Sequence, residues 1–238
     1  MIEYFLKNTL PSYYNLNPND IIVPVEIRDD LSFSYVDEKA CNEARATDFD
    51  KKGIFNKYEN VCLDCDKVVL TIINNDRRNI SVFKFEEYVK QLPEKVTFHK
   101  ERCDLLMSDG VSHDKIVFCD LCCYDEKYVE GKRAKARKQM EESIELFLQV
   151  DNSVVTQHIL TYTERVCLFA YRSYDSIQHP TKAQRGNVET SMQAMLTTPS
   201  SISGQVITEN QIMKHKFVFI HNKYPNAYNW ASTQTKRG

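Results

Sequence analysis

The chain has 238 residues, of which 42% are hydrophobic and 27% are charged, and these fractions exclude a largely disordered protein. The formal net charge is −2, so the total does not indicate a strongly basic nucleic-acid binder. Only six glycines are present, and neither common glycine-rich phosphate-binding motif occurs. This length suits one large domain, and we expect residues 1–238 to form it.

The start of the chain does not resemble a secretory signal peptide, because Glu3 and Lys7 interrupt its apolar residues. No stretch reaches the roughly 18 apolar residues of a membrane span. We therefore expect a cytoplasmic protein without a membrane partner. In that reducing compartment the eight cysteines would be thiols or metal ligands rather than disulfides.

The first part of the chain predicts two strands and two helices. The apolar run Ile21–Val25 contains Pro24, which cannot donate to a ladder, so it predicts an edge strand. A weak apolar stripe predicts a helix over Asp37–Lys52. Clustered β-branched residues predict a strand over Val68–Ile73, and a second apolar stripe predicts a helix over Phe83–Gln91.

The middle of the chain predicts a hairpin followed by a long helix. Strands are expected over Cys103–Met107 and Lys115–Cys123, with a turn at Ser108–Gly110. Apolar residues spaced by three or four then predict an amphipathic helix over Lys132–Leu148. The residues expected on its buried face are Ala136, Met140, Ile144, Phe147 and Leu148.

The last part of the chain completes an alternation of helices and strands. We expect helices over Val154–Tyr162 and Val188–Leu196, a strand buried on both faces over Glu164–Tyr171, a strand over Lys216–Ile220, and fraying after Tyr224. The fold class is therefore expected to be α/β or α+β, with a central mixed sheet flanked by helices.

Two aspartates fall within the two central strands. Asp104 precedes an apolar run, and Asp120 lies between two apolar halves of its strand. A buried carboxylate is costly unless it is paired or bound to a cation. Carboxylates on adjacent strands can converge, and one or two of them suffice to hold Mg²⁺ with its waters. Asp104 and Asp120 are therefore candidate ligands of Mg²⁺ or Mn²⁺; the alternative is structural salt bridges to Arg102 or Lys115.

The order of these residues resembles the PD-(D/E)XK nuclease pattern. That family has an acid on one strand, an acid-x-lysine on the next, and a following helix that often carries a polar residue facing the site. The resemblance covers Arg102 to Phe147 and extends loosely from Asp37 onward. It implies a restriction-endonuclease-like core at 37–150 with an extension at 151–238. The site residues that it implies are Asp104, Asp120, Cys122, Gln139 and Glu38, with Glu43 as an alternative to Glu38.

Cys122 occupies the place of the family's lysine. That lysine orients or activates the attacking water and stabilises developing charge, which a thiol cannot do. Period-2 alternation sets Cys122 on the same face as Asp120, and a lysine displaced to Lys115, Lys127 or Lys132 would restore the function. The resemblance implies phosphodiester hydrolysis with Mg²⁺ or Mn²⁺. The alternative is an inactive domain that binds nucleic acid or a protein partner.

The predicted long helix begins with a basic segment. Its positive charges lie toward the helix N-terminus and so oppose the helix dipole. This placement favours a polyanionic partner such as nucleic acid, and the alternative is a solvated charged face. The candidate nucleic-acid-binding residues are Lys132, Arg133, Lys135, Arg137 and Lys138, and the basic C-terminus is a second candidate.

Other cysteine chemistry is less well supported by spacing. Two CxxC pairs, Cys62 with Cys65 and Cys119 with Cys122, formally provide four zinc ligands, but the pairs lie much further apart than the usual 15–20 or so residues. We therefore do not expect zinc. A cysteine nucleophile at Cys122 or Cys123 would need a nearby base, and the six histidines have no diagnostic spacing. Tyr228 and Trp230 are either a stacking platform for bases or an anchor for the C-terminus.

Overall fold

The computed structural model of the chain describes residues 2–36, 54–56, 68–98, 100–110, 113–125, 128–150, 159–174, 206–207 and 215–231. The helices predicted over Asp37–Lys52 and Val188–Leu196 lie outside these residues, as does most of the one predicted over Val154–Tyr162.

Five α-helices and eleven strands are present in the described part of the chain. The helices are α1 (Ile2–Tyr4), which continues through the π-helical segment Phe5–Thr9 into α2 (Leu10–Tyr13), then α3 (Phe85–Lys90), α4 (Glu94–Thr97) and α5 (Val129–Leu148). The strands are β1 (Val25–Arg28), β2 (Ser32–Val36), β3 (Ile54–Asn56), β4 (Val68–Ile73), β5 (Ile80–Lys84), β6 (Leu105–Asp109), β7 (Lys115–Asp125), β8 (Glu164–Tyr174), β9 (Val206–Ile207), β10 (Val218–Lys223) and β11 (Ala227–Asn229).

A seven-stranded mixed sheet lies at the centre, in the order β1-β5-β6-β7-β8-β10-β9. Its strands β5, β6 and β7 are successive antiparallel neighbours. Helix α5 then crosses back, so β8 pairs parallel with β7, and β10 pairs parallel with β8. The expected fold class, a central mixed sheet flanked by helices, is confirmed. A parallel pair needs such a crossover, because the chain must return to the same end of the sheet.

Helices cover one face of this sheet. Phe147 of α5 stacks on Phe5 at a ring-centroid distance of 4.9 Å and on Phe85 at 5.8 Å. The predicted buried face of α5 is confirmed, because Ala136, Met140, Ile144 and Phe147 are at most 1% exposed, and Leu148 packs against them partly buried. Within the described residues, no helix combines the length and apolar character needed to cross a membrane.

A second, four-stranded sheet, in the order β11-β4-β2-β3, covers the opposite face of the central sheet. Its buried residues Phe33, Leu70 and Ile72 form one core with Met107 and Leu168 of the central sheet. The predicted strand Val68–Ile73 is confirmed as β4 and lies in this second sheet. The molecule is therefore layered as helices, central sheet and second sheet.

Strand β5 departs from the prediction. The helix expected over Phe83–Gln91 begins only at Phe85, because Ile80–Lys84 pairs with β6 along its whole length. The alternating apolar residues of this strand are buried on opposite faces, with Phe83 in one core and Val82 in the other. The edge strand predicted over Ile21–Val25 also begins later, at Val25, although it does lie at the sheet edge.

The turn predicted at Ser108–Gly110 is wrong at its first two residues. Ser108 and Asp109 are still in β6, and Ser108 pairs with Ile116. The Asp109 carboxylate accepts hydrogen bonds from the backbone N–H groups of Asp114 (2.9 Å) and Lys115 (3.2 Å) and so caps the hairpin. Side-chain capping of a tight turn lets the ladder extend further than the turn residues alone indicate.

The predicted fraying after Tyr224 is wrong for 227–231. Strand β11 pairs with β4, and the buried indole of Trp230 lies in the core between the sheets. The buried Lys115 ammonium donates to the Trp230 carbonyl (2.9 Å) and pairs with Glu164 (2.9 Å). Tyr228 and Trp230 thus form an anchor; their buried rings cannot act as a stacking platform. The strand expected over Lys216–Ile220 runs instead over Val218–Lys223.

Candidate metal centre between strands β6 and β7

The pairing of β6 with β7 sets the two candidate aspartates against each other. The last pair in this antiparallel register is Leu105 with Cys119. Continuing the register by one residue sets Asp104 opposite Asp120, where side chains of adjacent strands have Cβ atoms about 4.5–5.5 Å apart. The fold therefore brings together the two residues that the sequence predicted as metal ligands.

Asp104 itself lies immediately before β6, so its expected place inside an apolar strand is wrong. Its backbone carbonyl accepts hydrogen bonds from Phe85 N–H (2.8 Å) and Glu86 N–H (3.3 Å), at the start of α3. Its carboxylate Oδ2 accepts a hydrogen bond from the backbone N–H of Leu121 (2.7 Å). Asp104 thus caps a helix with its main chain and is held against β7 by its side chain.

The two carboxylates raise the negative charge of a poorly solvated region. Asp120 is buried, with 7% of its surface exposed, and Asp104 is partly buried. Burial raises the pKa of the Cys103 thiol, and the Asp120 and Asp104 carboxylates raise it further. Burial and the same two carboxylates also raise the pKa of Cys119. The Asp104 and Asp120 carboxylates therefore lie close enough to both buried thiols to affect their pKa.

Cys122 lies on the face predicted for it. Cys122 is partly buried and packs in the same core as Phe118; these two residues follow and precede Asp120 by two positions. Cys119 belongs to the core on the opposite face of the sheet. Cys119 and Cys122 therefore cannot share one zinc ion, and Cys62 and Cys65 lie outside the described residues. Among the residues that the structure describes, no group of three or more His, Cys, Asp or Glu side chains is arranged to hold a metal.

Two of the three candidates for a displaced catalytic lysine, Lys115 and Lys132, belong to the part of the chain that the structure describes. Lys115 begins β7, and its ammonium is committed to Glu164 and the Trp230 carbonyl. Its proposed role as the displaced lysine is therefore wrong. Lys132 is exposed on α5. Lys127 lies outside the described residues, as do the candidate acids Glu38 and Glu43.

The salt bridges considered as the structural alternative take other partners. Arg102 is 3% exposed, and its guanidinium lies 3.7 Å from the Glu142 carboxylate. Burial lowers the pKa of Arg102, and Glu142 opposes that effect. Burial likewise lowers the pKa of Lys115, which Glu164 raises. Both buried cations are therefore paired with glutamates of other elements.

Helix α5 contacts the segment before Asp104. Gln139 Nε2 donates to the Arg102 carbonyl (3.2 Å), so this candidate residue acts on the main chain two residues before Asp104. Ser143, one turn later, accepts a hydrogen bond from Cys103 N–H (2.9 Å) and is fully buried. The sequence reasoning missed Ser143. Its signal was a polar residue at the four-residue spacing from Gln139 on the apolar face.

The basic segment of α5 is partly neutralised by nearby acids. Arg133 pairs with Glu130, Lys135 with Glu101 (2.9 Å) and Arg137 with Glu141 (3.7 Å). Lys132 and Lys138 are exposed. Of the five predicted nucleic-acid-binding residues, three lysines (Lys132, Lys135 and Lys138) thus have the exposure expected of phosphate contacts. Lys135 and the two arginines already have carboxylate partners at the surface, where such pairs are weak.

Two further residues continue the row of Asp104 and Asp120 across the sheet. The parallel register aligns Asp120 with Phe169 and Phe169 with His221. Phe169 meets the His221 ring edge-on at a centroid distance of 6.1 Å. His221 was one of the six histidines considered as a base for a cysteine nucleophile, but the sequence did not predict its alignment with Asp120, because parallel partners distant in the sequence leave no spacing signal. An apolar ring thus separates this imidazole from the carboxylate pair.

The chain was compared with protein-family models, with curated proteins and with solved structures, and none of these matches it.

Proposed function

We propose that this chain is a nuclease-like domain of the PD-(D/E)XK type that hydrolyses phosphodiester bonds of nucleic acid with Mg²⁺ or Mn²⁺. The observation that carries the proposal is the hydrogen bond from the Leu121 N–H to the Asp104 carboxylate (2.7 Å), which holds that carboxylate against β7 next to Asp120. The register of β6 and β7, continued by one residue, also sets the two aspartates opposite each other. The order of an acid before one strand, an acid within the next strand and a helix that follows it supports the family resemblance.

The donor set fits the proposed cation. Mg²⁺ and Mn²⁺ prefer oxygen ligands, and Mg²⁺ keeps several waters while taking one or two carboxylates from a protein. Asp104 and Asp120 would hold it. When bound, such a cation supplies Lewis-acid activation of the phosphodiester. The Leu121 N–H orients the Asp104 carboxylate, and the buried position of Asp120 limits competition from bulk water.

Nucleic acid is the proposed partner, approached through α5. Lys132 and Lys138 are exposed and can contact phosphates directly. The described cysteines Cys103, Cys119, Cys122, Cys123 and Cys167 are thiols, which is consistent with the proposed cytoplasmic location.

The second candidate is an inactive descendant that binds nucleic acid or a protein. Cys122 favours it, because the position beside Asp120 on the same face carries a thiol in place of the family's lysine. Without an ammonium group there, the developing negative charge of the transition state loses one stabilising partner.

A cleavage assay with matched carboxylate variants separates the two. Purified wild type, Asp120→Ala and Asp114→Asn would be incubated with single- and double-stranded DNA and RNA, with Mn²⁺ or EDTA. Asp114 is the control because it lies outside β7, before Lys115, and pairs with Arg78 (2.9 Å). We expect Mn²⁺-dependent cleavage by the wild type and Asp114→Asn but not by Asp120→Ala. Absence of cleavage by folded wild type on every substrate would favour the inactive binding domain.

A further inference from the structure

Helix α5 holds the main chain just before Asp104 at both polar atoms of a single peptide group. The carbonyl of Arg102 accepts from Gln139 Nε2 (3.2 Å), and the N–H of Cys103 donates to Ser143 Oγ (2.9 Å). These two atoms belong to the same peptide plane. Because Gln139 and Ser143 are four residues apart on one helix, they lie on one face and can reach the two sides of that plane.

Ser143 is itself held in one orientation. Its hydroxyl donates to the Gln139 carbonyl (2.6 Å) while it accepts from Cys103 N–H, so both of its hydrogen-bonding functions are used. The side chain is fully buried, which leaves no water to replace it. The N–H of the 102–103 peptide is therefore tied to the backbone of α5 through a single hydroxyl.

The neighbouring contacts of Asp104 are equally fixed. Its own carbonyl is bound by the first N–H groups of α3, and its carboxylate by Leu121 N–H. The Arg102 side chain is tied to the Thr97 carbonyl (3.3 Å) and lies against Glu142. Because these neighbouring groups are fixed, a rotation of the 102–103 peptide would change the backbone torsion angles next to Asp104 and so shift the Asp104 carboxylate.

We propose that Ser143 is a positioning residue for Asp104: it fixes the 102–103 peptide and thereby the place of the Asp104 carboxylate relative to Asp120. Gln139 assists from the carbonyl side of the same peptide. This inference rests on the proposed metal-dependent function for its consequence in cation binding. The claim that Ser143 positions the Asp104 carboxylate does not depend on that function, because the Leu121 N–H is hydrogen-bonded to this carboxylate and can be followed whether or not a cation binds.

Two variants each remove one hydrogen bond to the 102–103 peptide: Ser143→Ala removes the acceptor of the Cys103 N–H, and Gln139→Met removes the donor to the Arg102 carbonyl. Ile144→Val is the control. Ile144 is the next residue of α5, is buried, and has no hydrogen bond to the 102–103 peptide. Its truncation therefore perturbs the packing of the helix without touching that peptide. Gln139→Met keeps a long, half-buried side chain and serves if Ser143→Ala does not fold.

Two quantities would be measured for each variant. The first is the amide resonance of Leu121 in a ¹H–¹⁵N spectrum, with Asp104→Ala as the reference for a missing carboxylate acceptor. The second is the dissociation constant for Mn²⁺ by titration calorimetry. We expect Ser143→Ala to move the Leu121 resonance toward the Asp104→Ala position and to weaken Mn²⁺ binding on the order of 10–100-fold, as removal of a residue that orients a ligand does. Ile144→Val should change neither.

The outcomes separate the two proposals. An unchanged Leu121 resonance in folded Ser143→Ala and Gln139→Met would overturn the positioning role, and so would an equal change in Ile144→Val. If the wild type binds no Mn²⁺, the proposed metal-dependent function fails. The Leu121 resonance then decides the positioning role alone, supported by a shift and overturned by its absence.

Discussion

The carboxylate of Asp104, the residue before β6, reaches the main chain of β7, where its Oδ2 accepts a hydrogen bond from the N–H of Leu121 at 2.7 Å. Leu121 stands between Asp120 and Cys122, so this bond joins the two acids of the site through the backbone. A hydrogen bond to an ionised acceptor is about twice as strong as one between neutral groups. The bond therefore has two functions that can be separated: it satisfies a main-chain donor, and it sets the direction of a charge.

Replacing Asp104 by asparagine or alanine separates these functions. Asparagine keeps an oxygen acceptor for the Leu121 N–H and removes the charge, whereas alanine leaves that donor without its partner. We expect Asp104→Ala to lose about 1–3 kcal/mol of unfolding free energy, and Asp104→Asn to lose less. Urea unfolding of both variants measures the difference. Equal losses would mean that the hydrogen bond to Leu121 contributes nothing to stability.

Mn²⁺ should stabilise the wild type against unfolding. A ligand that binds only the folded state at 100 times its dissociation constant adds about 2.7 kcal/mol. We expect this increment in the wild type and its disappearance in Asp120→Asn, because a neutral amide at Asp120 removes one of the two charged ligands. Thermal unfolding with and without Mn²⁺ checks it, with Asp114→Asn as the control. An increment that persists in Asp120→Asn would place the cation elsewhere.

Local pattern sufficed for the part of the site that lies along one stretch of chain. The apolar runs around Asp104 and Asp120, and the spacing of Met140 and Ile144, predicted the hairpin and helix that bring the two acids together. What could not be predicted was any interaction that depends on a distant partner. Strand β5 was not predicted, because α3 follows it directly at Phe85 and the helical pattern there extends into the strand. The alignment of His221 with Asp120 was not predicted, because it depends on two parallel strand pairings.

The exact setting of Asp104 was unpredictable for the same reason. Its expected place inside β6 assumed that its carbonyl joins the ladder, whereas that carbonyl caps α3. Likewise, the sequence allowed Lys115 as a displaced lysine of the site, but its ammonium donates a hydrogen bond to the carbonyl of Trp230, 115 positions later. Tertiary interactions between remote segments decided both positions.

Nucleic-acid binding by α5 should depend on its exposed lysines Lys132 and Lys138. The double variant Lys132→Ala, Lys138→Ala should weaken binding to duplex DNA irrespective of base sequence. It should also lower the slope of log affinity against log salt by about 0.9 for each phosphate that the variant no longer neutralises. Fluorescence anisotropy over a range of salt concentrations measures both. Binding without salt dependence in the wild type would contradict this role of the helix.

The ion pair of Lys135 gives a test with the opposite sign. Its ammonium lies 2.9 Å from the Glu101 carboxylate. Glu101→Gln should strengthen binding to duplex DNA at low salt, because it releases one positive charge and removes one negative charge near the phosphates. The same anisotropy titration checks it. Unchanged affinity would mean that DNA does not approach this side of α5.

Stability should fall steeply above about pH 10, because several tyrosines are buried. Burial raises the pKa of Tyr35, Tyr88 and Tyr228, and it raises the pKa of Tyr162 to about 12 against the opposing effect of a hydrogen bond with Ser108. In the unfolded chain these phenols ionise near pH 10. Above that pH the folded state binds more protons than the unfolded state, so the unfolding free energy decreases as pH rises.

Tyr162→Phe isolates one of these contributions. The wild-type stability due to Tyr162 is fully present below about pH 10 and is lost as the pH rises toward about 12. Its share of the slope is about 1.4 kcal/mol per pH unit within that window. We expect the variant to lose less unfolding free energy than the wild type between about pH 9.5 and 11, because the phenol of the unfolded chain has a pKa of about 10. Urea unfolding at each pH measures this difference. Parallel curves for the two proteins would show that the Tyr162 phenol ionises as readily in the folded chain as in the unfolded one.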